Sequence, residues 1–171
     1  MHIREELRER HTLAVIVDKE PGILARIAGM FTARGYNIES LTVTDISDDD
    51  RISRITIVTS ASAHVMEQII AQLDRLVPVH KVTDLTLACP HVERELALVK
   101  VAGTGEPRIE ALRLAEVYRA RVVDTTTQSF VFELTGGSDK IDAFVALMRE
   151  VGLVEVARTG VVAISRGKEA A

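Results

Sequence analysis

The segment Asp18-Lys19-Glu20-Pro21-Gly22-Ile23-Leu24 separates two apolar patterns of different period, and Gly35-Tyr36-Asn37-Ile38-Glu39-Ser40 closes the second of them. Before it, Leu13-Ala14-Val15-Ile16-Val17 is a short apolar run suited to a buried strand. After it, Leu24, Ile27, Ala28, Met30 and Phe31 recur at helical spacing. Pro21 suits the first helical turn, and Gly35 suits a left-handed stop after Arg34. The segment therefore predicts strand, tight turn, helix, glycine stop and strand. Ile38, Leu41 and Val43 fall on that second strand, with a change of parity between Ile38 and Leu41 that predicts a bulge.

The pattern continues to a complete unit. Asp48-Asp49-Asp50 forms a polar hairpin loop, and Ile55 and Ile57 alternate on the returning strand. Val65, Met66, Ile69, Ile70, Leu73 and Leu76 make a second helix, and Val79–Leu87 a closing strand. A βαββαβ order with right-handed crossovers gives a four-stranded antiparallel sheet with both helices on one face, the ferredoxin-like arrangement. Ala88-Cys89-Pro90-His91 is a linker, with Pro90 breaking the ladder.

The order then recurs as pattern, without residue identity. Leu96–Val101 is a strand, and Pro107 opens a helix whose stripe is Ile109, Leu112 and Ala115. Val122 and Val123 form a strand, and Phe130, Phe132 and Leu134 alternate on the next one. Ser138 caps a helix carrying Ile141, Phe144, Val145 and Met148, and Val154–Ile164 is the final strand. The fold class is α+β: two ferredoxin-like βαββαβ domains in tandem, residues 11–87 and 92–165. A charged segment 1–10, a linker 88–91 and a tail 166–171 complete the 171 residues. Each domain is small enough that a lone core is marginal, so self-association is expected on stability grounds.

Composition narrows the function. The net charge is −4, and basic residues are dispersed, which argues against a nucleic-acid surface. The one cysteine, Cys89, allows no intrachain disulfide. No apolar run approaches the roughly 20 residues of a membrane helix, and the charged start has no signal-peptide core. A cytoplasmic protein is expected.

Catalytic constellations are missing from the pattern. Cys89 and His91 flank a linker proline; His2, His11, His64 and His80 are scattered and expected at the surface or half-buried. No paired-Cys or His-Glu-x-x-His spacing supports a metal. Gly103-Thr104-Gly105-Glu106-Pro107 lacks the third glycine of a dinucleotide fingerprint and the end of a P-loop, and is a turn. The first turn is different, because a free amino acid needs donors for its carboxylate and acceptors for its ammonium. The helix start at Pro21-Gly22-Ile23-Leu24 offers N–H groups and the positive dipole end. Gly22 permits close approach to the backbone, and Asn37 carries donor and acceptor on one side chain. Ile23, Leu24 and Ile38 supply apolar wall. The bland alternative is a β–α turn eased by Gly22, with Asn37 at a strand end; spacing alone does not decide between them.

The runs Thr12–Val15, Asp18–Arg26 and Arg34-Gly35-Tyr36-Asn37-Ile38-Glu39-Ser40-Leu41-Thr42-Val43 resemble the ACT domain of the acetolactate synthase small subunit. The resemblance continues through Ser53–Ile57, His91–Val101 and Gly160–Gly167, nearly the whole chain. It implies a regulatory subunit with no catalytic site of its own. Its partner would be a large catalytic subunit that carries thiamine diphosphate, magnesium and FAD and joins two pyruvates into 2-acetolactate with loss of CO2. No cofactor is expected in this chain, which has no Gly-Asp-Gly diphosphate motif. The resemblance further implies activation of the large subunit, feedback inhibition by valine or another branched-chain amino acid, and a homodimer through ACT domains. Carried over by position, Lys19, Glu20, Pro21, Gly22, Ile23 and Leu24 of one protomer would face Asn37 and Ile38 of its partner. Many members of the family have other residues where this chain has Lys19 and Pro21. Residues 92–165 are expected to contribute to coupling. The alternative from another class is a free-standing amino-acid sensor controlling transcription or another enzyme through the same turn.

Overall fold

The computed structural model describes residues 7–48, 51–168 and 170. The chain divides into two compact units, one of residues up to Val92 together with the segment from Val161, the other Glu93–Gly160. Each has the βαββαβ order. The first runs β1 (Glu9–Asp18), α1 (Ile23–Ala33), β2 (Ser40–Asp45), β3 (Ile52–Ala61), α2 (Ala63–Leu73) and β4 (Val79–Asp84). After it come α3 (Leu85–Ala88) and β5 (His91–Ala102), then α4 (Glu106–Tyr118), β6 (Arg121–Thr125), β7 (Ser129–Gly136), α5 (Ser138–Val151), β8 (Leu153–Arg158) and β9 (Val162–Ser165). The sheet orders are β2-β3-β1-β4 and β6-β7-β5-β8, all neighbours antiparallel.

Period explains the first core. Alternate residues of β1 and β3, Leu13, Val15, Val17, Ile55 and Ile57, face the helical stripe of Ile27, Phe31, Met66, Ile69 and Leu73. α1 ends in a Schellman motif: Gly35 takes φ 68°, its N–H donates to Thr32 O at 3.1 Å, and the Tyr36 N–H donates to Phe31 O at 3.0 Å. The Phe31 and Tyr36 rings meet edge to face across that stop, centroids 6.1 Å apart.

In the second unit Val99, Val101, Phe132 and Leu134 oppose Ile141, Phe144 and Met148. The expected stripe on α4 is displaced: Ile109 and Leu112 are 45% and 41% exposed, while Ala111 and Ala115 face inward. Aromatic bulk accounts for this. Phe144 packs on Phe132 and Tyr118 with centroids 6.2 and 5.4 Å away, leaving room for methyl groups on α4.

Several local expectations are corrected. Asn37 and Ile38 precede β2, whose pairing with β3 runs unbroken from Ser40↔Val58 to Asp45↔Ser53, so the parity change is a strand boundary and not a bulge. The register shift lies instead between Ile16 and Val17, against β4. Pro21 stands before the helix, and Gly22 takes the N-cap. Ser138 is the first residue of α5; extended Gly137 takes its N-cap position. β4 stops at Asp84, where the carboxylate accepts the Thr86 N–H at 3.0 Å and opens the turn of α3. Of the acidic tip only Asp48 lies within the described residues, as His2 and the first six residues do not.

The largest difference is at the C-terminus. Gly160, at φ 84°, breaks the expected strand 154–164 into β8 and β9. β9 pairs with β5, whose first two residues lie in the first unit, and the segment from Val161 belongs to that unit instead of ending the second. It crosses the sheet face opposite α1 and α2, where Ala163 packs with Ala14 and Leu85, Cys89 beside them. Arg166, the first residue of the expected tail, donates its N–H to Pro90 O at 2.8 Å.

Candidate functional site

The turn between β1 and α1 is built by backbone bonds on one side and left open on the other. The Asp18 N–H donates to Pro78 O and the Lys19 N–H to Arg51 O, each at 2.8 Å, which fixes the strand end. The Glu20 N–H turns back to Asp18 O at 3.0 Å. Gly22 then adopts φ 84°, ψ 2°, a left-handed N-cap that strains any residue with a Cβ. The Ile23 N–H reaches Glu20 O at 3.3 Å, and Gly22 O receives the Arg26 N–H at 3.0 Å. The amides of Gly22, Leu24 and Ala25 find no acceptor among the described residues, as the first turn of a helix requires.

Charge and space favour an anion there. No acidic residue lies in the first turn of α1, and a Cβ at Gly22 would meet no atom within 4 Å. A carboxylate can approach those N–H groups from solvent along the positive end of the helix. Lys19 is held aside: its Nζ donates to Asp45 Oδ2 at 2.5 Å, and Ser53 Oγ donates to Asp45 Oδ1 at 2.7 Å. These two bonds, the Lys19 one foremost, hold the Asp45 carboxyl below the ordinary aspartate range.

The other named residues divide. Glu20 and Pro21 are exposed in the turn, and Leu24 is half-exposed beside it. Ile23 is buried, with its side chain in the first core. Ile38 packs against the same core, and Asn37 is exposed, with its backbone oxygen accepting the Thr59 hydroxyl at 2.6 Å. Within one chain the turn and Asn37 are not brought together. The eleven residues of α1 lie between them, about 16 Å at 1.5 Å per residue.

Sequence reasoning missed one buried polar pair. His11 Nδ1 lies 2.7 Å from Asp84 Oδ2, both nearly inaccessible, where a surface or half-buried histidine was expected. Asp84 divides its two oxygens between His11 and the start of α3. The pair fastens α3 to β1, and its separation along the chain left no local signal.

Residues 13–81 match the family model described as an AHAS small subunit-like ACT domain, and residues 94–167 match that described as the small subunit of acetolactate synthase. The first unit is thus an ACT domain, in tandem with a second unit of the same topology. A probable acetolactate synthase small subunit of Archaeoglobus fulgidus is 48% identical over 160 residues, 94% of this chain and 99% of its own length. The acetolactate synthase isozyme 3 small subunit of Escherichia coli is 46% identical over 159 residues, 92% of this chain and 96% of its length. The crystal structure of the acetolactate synthase small subunit from Thermotoga maritima superposes with a TM-score of 0.83 at 35% identity, covering 94% of this chain and 99% of that one. The chain belongs to the family of acetolactate synthase small subunits, the regulatory partners of the catalytic subunit.

Proposed function

We propose that this regulatory chain binds valine, or another branched-chain amino acid, between the Lys19–Leu24 turn of one copy and Asn37 and Ile38 of a second copy. The observation that carries the reading is the open Gly22 N-cap: unshared amides, no acidic neighbour in the helix turn and no atom in the way. The length of α1 supports the division between two copies, since one chain keeps the turn and Asn37 apart. The ligand carboxylate meets the Gly22, Leu24 and Ala25 amides, the Asn37 carboxamide takes the ammonium, and Leu24 and Ile38 offer apolar contact to an aliphatic side chain.

Such a ligand favours the one arrangement of two copies in which those groups meet, by its differential affinity for it. A coupling of about 1–3 kcal/mol changes the partner's activity about 5- to 150-fold when fully transmitted. In this reading the chain also activates the catalytic subunit, in the cytoplasm, and the thiamine diphosphate, magnesium and FAD belong to that subunit. Among the described residues no helix is long and apolar enough to cross a membrane.

The test is to mix the full chain with a catalytic subunit of the family and assay acetolactate with and without valine. Stimulation by the chain, reversed by valine, is expected; absence of both effects overturns the reading. Sedimentation tests the shared site separately, since a strict monomer that binds valine tightly is incompatible with it.

A further inference from the structure

The sheet face opposite the helices is closed by the chain's own C-terminal segment, and the closure is made at β2. Ser40 and Thr42, two apart on one face of that strand, take both backbone groups of one residue. The Val161 N–H donates to Ser40 Oγ at 2.8 Å, and Thr42 Oγ1 donates to Val161 O at 2.9 Å. On the same face, Arg54 of β3 pairs in register with Thr44 and donates from Nη2 to Ala163 O at 3.0 Å. Val161 and Ala163 are 3% and 7% exposed, and beneath the segment Ala14, Thr56 and Val58 are buried. One side of the segment, Val161 and Ala163, is therefore packed as core and held by side chains of the sheet, while Val162 and Ile164 face outward.

The closure is continuous in the chain with the proposed effector residues on one side and with an ion-paired strand on the other. Ser40 begins β2 directly after Asn37-Ile38-Glu39, so any displacement of Asn37 and Ile38 is carried along the backbone into the residue that holds the Val161 amide. On its other side Val161 is joined through Gly160 and Thr159 to Arg158, which donates to Asp142 and to buried Glu95. A ligand that only filled a surface turn would have no firm element to act upon. Here a strand start and a buried segment share hydrogen bonds.

We infer that Ser40 and Thr42 are positioning residues for the effector response, and that their clamp on Val161 conveys occupancy at Asn37 and Ile38 into the C-terminal segment. The inference rests on the effector reading above and names its route. The clamp reads backbone only, so the hydroxyls at positions 40 and 42 carry the effect and the side chain at 161 supplies burial.

The experiment uses the full chain with its catalytic subunit and valine as probe. In Ser40→Ala/Thr42→Val, valine binding by calorimetry stays within about threefold of wild type, while the extent of valine inhibition falls about tenfold or more, a loss of coupling separated from affinity. Amide exchange at Val161 accelerates, and Ser40→Thr and Thr42→Ser, which keep the hydroxyls, retain inhibition. Should the double variant fold poorly, Thr42→Val alone shows the same separation. Inhibition at the wild-type level with Val161 released overturns the clamp. Inhibition lost in step with binding also overturns it, because the hydroxyls then belong to the effector site. A wild-type complex indifferent to valine removes the effector reading and the clamp together; the variant arms remove the clamp alone.

Discussion

The turn after β1 and the turn after β5 hang from matching backbone frames and present different surfaces. In the first unit the Asp18 N–H donates to Pro78 O at 2.8 Å and the Lys19 N–H to Arg51 O at 2.8 Å. In the second the Ala102 N–H donates to Gly152 O and the Gly103 N–H to Gln128 O, both at 2.9 Å. Both first strands slip register at the same place, Ile16/Val17 and Lys100/Val101. What differs is the content of the turn. Residues 19–22 reach a helix whose first turn has no acid, whereas residues 103–105 reach α4, whose first residue is Glu106. Gly105 takes φ 65°, ψ −136°, and the Glu106 carboxylate satisfies the helix dipole that the first unit leaves open. A shared frame thus supports a turn with open amides and no acid in its helix start in one unit, and a turn that carries its own carboxylate in the other. The outer sheet faces differ too: β9 and α3 cover the first, while the second shows half-exposed Leu98 and the cross-strand pairs Lys100–Glu155 and Arg121–Glu133.

The strongest break of this parallel is at Pro78 and Gly152, which make the same bond with opposite backbones. Gly152 has φ 112°, and a Cβ there would lie 2.2 Å from Ala102 O. Gly152→Ala is expected to destabilise the protein by about 3 kcal/mol or more, strain and backbone clash together. Pro78→Ala is expected to remain within about 1 kcal/mol of wild type. Urea unfolding of both variants decides; equal losses would mean that the two frames are not equivalent.

A functional contrast comes next in size. In the proposed site Gly22→Asp places a carboxylate where the ligand's would lie, and is expected to weaken valine binding by about 100-fold, near 2.7 kcal/mol by the affinity relation. Gly22→Ala serves as control, since it carries the same left-handed strain, about 1–2 kcal/mol in stability, without the charge. Thr104→Asp, in the second turn, should leave valine binding unchanged. Calorimetry that found Thr104→Asp as damaging as Gly22→Asp would move the site to the second unit.

These contrasts also show which features a sequence can carry. Gly35 announced its stop because a left-handed residue has few chemical solutions, and the two periods placed β1 and α1. The turn chemistry was legible because its residues are contiguous. Partners distant in sequence were not. Leu85 and Leu87 continue the alternation of β4, yet the strand ends at Asp84, whose carboxylate is divided between His11 and Thr86. Val161–Ile164 likewise continues β8 by pattern, while its partners Ser40, Thr42 and Arg54 lie more than a hundred residues upstream. The burial of Ile23 in the first core had no local signal, because a sequence cannot say which side of a helix start meets the core. α4 turned its alanines inward because Phe132 and Phe144, from β7 and α5, had filled the volume together with its own Tyr118, a tertiary fact without local trace.

The smallest expected effect concerns the two helix stops, which repeat one motif with unlike residues. Gly35 and Arg119 both adopt left-handed backbone, at φ 68° and 57°. The Arg119 N–H donates to Glu116 O at 3.1 Å and the Ala120 N–H to Ala115 O at 2.8 Å, the same pair of bonds that Gly35 and Tyr36 make. An arginine there bears about 1–2 kcal/mol of steric cost, against which glycine loses about 0.5–1 kcal/mol of extra chain entropy on folding. The difference favours glycine, so Arg119→Gly is expected to stabilise the protein by about 0.5–1 kcal/mol, a rise in Tm of about 1–4 °C for a chain of this length. Valine response should not change, because Arg119 is exposed at the end of α4 in the second unit and is no part of the turn or the clamp by sequence. Thermal unfolding of Arg119→Gly that came out lower than wild type would show that the arginine side chain holds the end of α4 by more than its backbone strain, and the likeness of the two stops would then be one of shape without a shared energetic balance.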